Sequence, residues 1–154
     1  MSYKVGRRFE YHVVYKFRSF GFDAKRVTLS GKKSEFYPGC DIIVKLNKYE
    51  LKGKLKTTKK NAYVSIPIKD FIELSKNEIN FLCFGFFRSK PFFIINHSDE
   101  KFETIVKVGK KFISFSKKDV NNLPKNVFIE DLKISFLMLD LESYISILKS
   151  IEAQ

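Results

Sequence analysis

The sequence predicts one α/β domain, and three observations lead to that prediction. The chain has 154 residues, which is the size of a single domain and enough to bury one core. Hydrophobic residues make up 44% of it, as in a globular protein rather than a disordered one. Helix-type and strand-type patterns alternate along the chain, with no repeat or linker between them. We therefore expect a single domain over residues 1–154.

Helices are predicted in three segments: residues 3–20, 67–76 and 141–151. In the first, Phe9, Val13 and Phe17 recur at helical spacing on one face, and Gly21 ends the helix. Asp140 is placed to cap the last helix, because a carboxylate at that position accepts hydrogen bonds from the first free N–H groups.

Strands are predicted in eight segments: residues 23–29, 40–46, 49–55, 81–87, 91–96, 102–108, 111–115 and 127–138. A polar, glycine-bearing loop is expected over residues 30–39. Only Asn47 and Lys48 separate the second strand from the third, so these two strands are predicted to form a hairpin.

The charge balance of the chain favours a nucleic-acid partner. Lysine and arginine total 29 against 17 acidic residues, which gives a net charge of +12. A small domain with this excess gains affinity for phosphates through counterion release. The alternative is a lysine-rich protein from an AT-rich genome, and charge alone does not distinguish DNA from RNA.

The two cysteines, Cys40 and Cys83, stand far apart and have no nearby cysteine in a metal-binding spacing. We expect neither a zinc site nor a disulfide, and a reducing cytoplasm suits them best. There is no apolar run of transmembrane length and no signal-peptide pattern, so no membrane partner is expected. The expected location is the cytoplasm, either on the nucleoid or as a viral protein in its host.

Three acidic features carry the chemistry that the sequence suggests. Asp41 opens a strand, Glu50-Leu51-Lys52 lies in the next strand, and Glu10 lies in the first helix. Hydrolysis of a phosphodiester benefits from a hard cation that neutralises the phosphate and acidifies a water. Mg²⁺ takes oxygen ligands from a few carboxylates, and a nearby lysine can serve the attacking water. The pattern therefore indicates a metal-dependent nuclease.

The predicted hairpin constrains this site. Alternation along the strands places Asp41 on the same face as Glu50 and Lys52 for any even-length loop. A two-residue turn, however, separates Asp41 from Glu50 by about four residues, or roughly 13 Å. A four-residue loop over residues 44–47 would set the two carboxylates opposite each other. A shared metal ion thus predicts the longer loop, or strong local twist.

Several segments form a recognisable pattern: residues 6–10 (GRRFE), 21–27 (GFDAKRV), 30–33 (SGKK), 41–44 (DIIV), 50–54 (ELKGK), 111–115 (KFISF) and 139–142 (LDLE). Together they resemble archaeal Holliday junction resolvases of the restriction-endonuclease-like, or PD-(D/E)xK, superfamily. The likeness is dense over the first 55 residues and thin between residues 57 and 110. It implies a central mixed β-sheet flanked by helices, a homodimer, and dependence on Mg²⁺ or Mn²⁺. It also implies paired nicks across a four-way DNA junction.

The same resemblance implies roles for individual residues. Asp41, Glu50 and Glu10 would bind the metal, with the Leu51 carbonyl a further ligand. Lys52 would serve the water, and Ser30 would contact the substrate or the scissile phosphate.

Basic residues around these segments are expected to contact DNA. They are Arg7, Arg8, Lys25, Arg26, Lys32, Lys33, Lys54 and Lys56. The basic run that includes Lys54 and Lys56 continues directly from the proposed site, so phosphate contacts there are favoured over a solvated charged loop.

Three functions remain open from the sequence. The first is a structure-selective endonuclease that resolves four-way junctions. The second is another nuclease of the same fold, of the restriction or repair type. The third is a non-catalytic basic protein that binds nucleic acid electrostatically. The clustered acids favour the first two, since carboxylates repel DNA unless a cation lies between them.

Overall fold

The computed structural model of the chain describes residues 3–27, 40–58, 63–76, 80–86, 89–96, 103–105 and 111–153. The helices in these ranges are α1 (Tyr3–Ser19), α2 (Ile68–Ser75) and α3 (Leu141–Glu152). The strands are β1 (Asp23–Arg26), β2 (Ile42–Lys45), β3 (Glu50–Thr57), β4 (Tyr63–Pro67), β5 (Phe81–Gly85), β6 (Phe92–Asn96), β7 (Glu103–Ile105), β8 (Phe112–Ser116), β9 (Lys125–Ile129) and β10 (Ile134–Asp140). The predicted loop over residues 30–39 lies outside the described residues.

A mixed sheet forms the centre of the fold. Its eight described strands run in the order β1-β2-β3-β5-β6-β10-β9-β7. β3 pairs with β5 in parallel and so does β7 with β9, whereas the other neighbours are antiparallel. β4 and β8 form a separate two-stranded sheet. The predicted α/β class and the mixed sheet flanked by helices are confirmed.

The two faces of the large sheet carry different hydrophobic clusters. On one face, α1 and α3 pack through residues such as Phe17 and Tyr144. On the other, α2 and the two-stranded sheet pack through residues such as Phe71 and Phe115. β5 is buried on both sides, because Phe81 belongs to the first cluster and Leu82 to the second. A strand covered on both faces reads as a continuous apolar run, as this one does.

Helix α1 confirms the helical spacing seen in the sequence. Phe9, Val13 and Phe17 are buried against the sheet. The helix ends at Ser19, one residue before the predicted end, and Gly21 follows with a φ of +93°. Glycine adopts this left-handed conformation without steric cost, so it suits the turn into β1. None of the described helices is long and apolar enough to span a membrane.

The C-terminal part confirms one prediction and corrects another. Asp140 caps α3, since its Oδ1 accepts a hydrogen bond of 2.8 Å from the Ser143 N–H. The single strand predicted over residues 127–138 is wrong, because β9 and β10 pair there as an antiparallel hairpin. The chain turns between them at Lys133, whose φ is +52°, and no glycine or proline marks that turn in the sequence. The strand β4 was not predicted either.

β2 and β3 are joined by the two-residue turn rather than by the four-residue loop. Leu46 N–H donates to the Tyr49 carbonyl at 2.8 Å, so Asn47 and Lys48 alone form the loop. The longer loop predicted for a shared metal ion is therefore wrong. The physical reason is burial: the longer loop would have removed Val44 and Leu46 from the core, where they are 0% and 8% exposed.

Candidate functional site

Asp41 lies at a β-bulge where β2 begins. Its N–H donates to the Gly53 carbonyl at 2.8 Å, although Gly53 already pairs with the next residue, Ile42. Two residues thus oppose one, which is the definition of a bulge. Bulges redirect side chains and are common beside active sites. The bulge also interrupts the strict alternation of faces on which the sequence-based placement of Asp41 depended.

The Asp41 carboxylate points along the edge of β3. Its Oδ2 accepts a hydrogen bond of 2.7 Å from the Leu55 N–H. Burial raises the pKa of Asp41 above its ordinary value, and this effect exceeds the opposing effects of the Leu55 hydrogen bond and of the Lys54 and Lys56 charges. The charge of Asp70 raises the pKa further. Asp41 therefore stands between basic residues of β3 and another carboxylate.

Glu10 on α1 reaches the same edge of the sheet. Its Oε1 accepts a hydrogen bond of 3.0 Å from the Nε of Arg26, and both side chains are at most one-fifth exposed. Burial raises the pKa of Glu10, the Arg26 hydrogen bond lowers it, and the charge of Asp41 raises it. Glu10 and Asp41 are thus close enough to interact electrostatically, as the sequence predicted for the site.

The position of Glu10 above the sheet depends on the close packing of α1 against β5. The ring of Phe9 lies over Gly85 of β5, where a Cβ would come within 2.5 Å of the Phe9 Cε1. Only glycine leaves room for this contact. Because Phe9 precedes Glu10 in the helix, the contact fixes the height of Glu10 above the sheet.

Glu50 lies at the far end of the hairpin. It pairs with Lys45, four residues along β2 from Asp41. That spacing corresponds to roughly 13 Å, which is too far for Asp41 and Glu50 to share one ion. Leu51 is buried in the first cluster and pairs with Val44. The structure thus brings Glu10 and Asp41 together and leaves Glu50 apart from them.

A cavity of about 310 Å³ lies on the opposite side of β3 from α1. Its lining includes Lys52 and Lys54 of β3, Asp70 and Glu73 of α2, and Cys40. Lys52 and Lys54 reach this side because they alternate with buried leucines along the strand. The predicted water-serving lysine, Lys52, is therefore beside the cavity.

Asp70 is a residue that the sequence reasoning missed. It is 4% exposed, and its Oδ1 lies 2.9 Å from the Lys54 Nζ. A signal was available, because Asp70 falls on the same helical face as Phe71 and Leu74, where an apolar residue is expected. A carboxylate in that place is costly unless it has a partner or a function.

Comparisons with known proteins identify the architecture. No family model and no curated protein sequence matches the chain. Among solved structures, Archaeoglobus fulgidus Hjc, described as a Holliday junction resolvase from an archaeal hyperthermophile, is similar with a TM-score of 0.56. The match covers 92% of this chain and 95% of that one, at 14% sequence identity. The chain has the restriction-endonuclease-like fold. At this identity, the likeness shows the fold alone.

Within the restriction-endonuclease-like fold, the predicted DNA-contacting residues fall into four groups. Arg7, Arg8 and Lys25 are exposed, and Lys54 and Lys56 are half-buried beside Asp41. Arg26 is engaged by Glu10 and also lies 4.5 Å from the centre of the Tyr11 ring. The fourth group, Lys32 and Lys33, lies outside the described residues, as does Ser30.

From the sequence, Tyr11 and Tyr15 on α1 were expected to pack rather than to stack on bases, but the structure leaves both side chains exposed. Tyr11 and Tyr15 are 57% and 69% exposed, one helical turn apart. Arg8, also exposed, lies on the same face at helical spacing. Exposed aromatic rings between basic residues suit stacking on unpaired bases.

Proposed function

We propose that the chain is a divalent-metal-dependent endodeoxyribonuclease that cuts branched DNA. In the finer form of the proposal, it is a crossover junction endonuclease that resolves four-way junctions by paired nicks as a homodimer. The observation that carries the proposal is the pair of partly buried carboxylates, Glu10 and Asp41: the charge of Asp41 raises the pKa of Glu10, and the charges of Lys54 and Lys56 act on Asp41. The fold shared with Hjc supports it.

The residues at this edge fit a magnesium or manganese ion. Two carboxylates that repel each other and lose water gain most from a nearby cation. In the part of the chain that the structure describes, no three metal-binding side chains converge. Mg²⁺ commonly takes one or two carboxylates and completes its shell with waters and substrate phosphate. Bound there, the ion would neutralise the phosphate and acidify a water.

The protein's own groups would hold and orient the reactants. The Leu55 N–H fixes the Asp41 carboxylate, and Arg26 fixes that of Glu10. Lys54 and Lys56 provide positive charge for the DNA backbone, where phosphate contacts position the substrate. Lys52, at the cavity, is proposed to orient the attacking water. Water excluded from the half-buried site strengthens each of these interactions.

Glu50, the Leu51 carbonyl and Ser30 stay predictions for this site. For Glu50, the separation of four residues along the hairpin argues against a shared ion with Asp41. We therefore assign the ion to Glu10 and Asp41, and Glu50→Gln becomes the variant that tests the original pairing.

A cleavage assay tests the function. A synthetic four-way junction and a linear duplex of matched sequence are incubated with the chain and Mg²⁺, Mn²⁺ or EDTA. Symmetric nicking of the junction only, abolished by EDTA, is the expected result. Equal cutting of both substrates would favour a restriction or repair nuclease, whereas binding without cutting in either metal would favour a non-catalytic nucleic-acid-binding protein.

The dimer has its own test. Two nicks placed symmetrically on a two-fold substrate require two sites related by the same symmetry. Light scattering during size-exclusion chromatography should therefore give twice the mass of one chain, 18.1 kDa. A monomeric mass both alone and on the junction would contradict the homodimer.

A further inference from the structure

Asp70 is buried where a carboxylate has few sources of stabilisation. It lies in the first turn of α2 at 4% exposure, the lowest of the acidic residues whose side chains the structure describes. Removing an ionised carboxylate from water costs several kcal/mol unless partners compensate. We therefore expect such a carboxylate to have either a partner that balances its charge or a function that requires the charge.

Only one of the two carboxylate oxygens of Asp70 has a hydrogen-bond partner in the described residues. The Oδ1 atom pairs with the Lys54 Nζ at 2.9 Å. The Oδ2 atom is fully buried and has no hydrogen-bond partner among the residues that the structure describes. Buried acceptors without a partner are rare in folded proteins and indicate a missing ligand or a functional role.

The environment of this oxygen suits a cation. Asp70 lines the cavity of about 310 Å³ that also contacts Lys52 and Cys40. Its charge acts on Asp41, and so does the charge of Lys54, which means that the lysine ammonium stands near two carboxylates. The Lys54 ammonium donates to Oδ1 and leaves Oδ2 unpaired, whereas a divalent ion that takes the place of the ammonium could bind the carboxylate directly.

We propose that Asp70 is a ligand for a divalent cation at the Asp41 end of the cavity, and that the Lys54 ammonium holds the place of the ion in the metal-free chain. This assignment rests on the proposed nuclease function and extends it. It replaces Glu50, which the register sets apart, with a carboxylate from a different element. Lys54, once displaced, is free to contact phosphate.

A structural ion pair is the alternative explanation. It predicts that Lys54 and Asp70 stabilise the fold and have no effect on metal binding. The two explanations separate in a measurement that needs neither DNA nor activity.

The test is a titration of the full chain with Mn²⁺, in which electron paramagnetic resonance reports the free ion. Asp70→Asn keeps the shape and the Lys54 contact but loses the charge, so Mn²⁺ affinity should fall roughly tenfold or more. Lys54→Met removes the competing ammonium, so affinity should rise by roughly fivefold, the factor that matches a partly exposed ion pair. Asp131→Asn, which makes the same substitution at an exposed position outside the cavity lining, should bind as the wild type does.

Three results would overturn the assignment. They are wild-type Mn²⁺ affinity in Asp70→Asn, an equal loss in Asp131→Asn, and no Mn²⁺ binding by the wild type up to roughly 10 mM. If Asp70→Asn fails to fold by circular dichroism, unchanged affinity in Lys54→Met overturns it instead. Junction cleavage is scored separately. If Asp70→Asn cuts the junction and binds Mn²⁺ as the wild type does, only this inference is refuted. If the wild type binds Mn²⁺ but does not cut the junction, only the nuclease function is refuted.

Discussion

Gly53 lies where the candidate site meets the hydrophobic core, and replacing it with alanine should destabilise the protein. The added Cβ would lie 3.0 Å from the Cε1 of Phe81 and closer still to two other carbons of that ring. The ring is 1% exposed and has nowhere to move, because the rings of Phe17, Phe93 and Tyr144 surround it at centroid distances of 5.8, 5.7 and 5.5 Å.

The expected size of the effect follows from this packing. Overpacking a rigid core costs about 1–3 kcal/mol, and the surrounding rings place Gly53→Ala in the upper half of that range. For a chain of this length, each kcal/mol lowers Tm by about 2–4 °C, so a fall of about 4–12 °C is expected. Thermal unfolding followed by circular dichroism measures it.

A double-mutant cycle provides the control. Phe81→Leu replaces the ring that the added Cβ of Gly53→Ala would contact with a smaller side chain. Gly53→Ala should therefore lower the stability clearly less in the Phe81→Leu background than in the wild type. A Tm for Gly53→Ala within about 1 °C of the wild type would refute the packing argument. An equal cost of the alanine in both backgrounds would also refute it.

Three further predictions concern charge and the DNA surface. Burial raises the pKa of Asp41, so the folded chain binds more protons than the unfolded one between the ordinary and the raised pKa, and stability falls as pH rises through that window. In EDTA, Asp41→Asn should therefore melt above the wild type at pH 7.5, with the difference shrinking toward pH 4, and a lower Tm for the variant at pH 7.5 would contradict this. Glu10 and Asp41 must both ionise to bind metal, and both pKa values are raised. The cutting rate of the wild type should therefore fall on acidification at a higher pH than the pKa of an ordinary carboxylate. A rate that falls only near pH 4 would contradict this prediction. Tyr15→Ala should weaken the binding of single-stranded DNA by about 1–3 kcal/mol without changing Tm, as fluorescence anisotropy would show, whereas Tyr15→Phe should bind normally. Unchanged single-strand affinity in Tyr15→Ala would exclude stacking.

Local patterns in the sequence were enough to predict much of the fold. The buried face of α1 and the Asp140 cap of α3 depend on residues a few positions apart, and both were confirmed. The turn at Lys133 was missed, because its left-handed backbone is held by the pairing of β9 with β10 rather than by a turn-forming residue.

The candidate site was less accessible from sequence. The hairpin was predicted correctly, whereas the pairing of Asp41 with Glu50 at one metal ion stays a prediction that the register argues against. A bulge depends on the hydrogen bonds between two strands, and the alternation of polar and apolar residues within either strand does not reveal it. Asp70 comes to the same region only through the packing of α2 on the sheet. The nearness of Glu10 to Asp41, by contrast, was anticipated through family resemblance and is present in the structure.

The most direct test of the account is the single-turnover cutting rate of a four-way junction by Asp41→Asn in Mg²⁺, measured beside its junction affinity. Asparagine can still accept the Leu55 hydrogen bond, so the fold should persist while the ion loses a ligand. The account predicts that cutting falls by roughly 100-fold or more, that binding is retained, and that Glu50→Gln still cuts. Cutting by Asp41→Asn at the wild-type rate would contradict it.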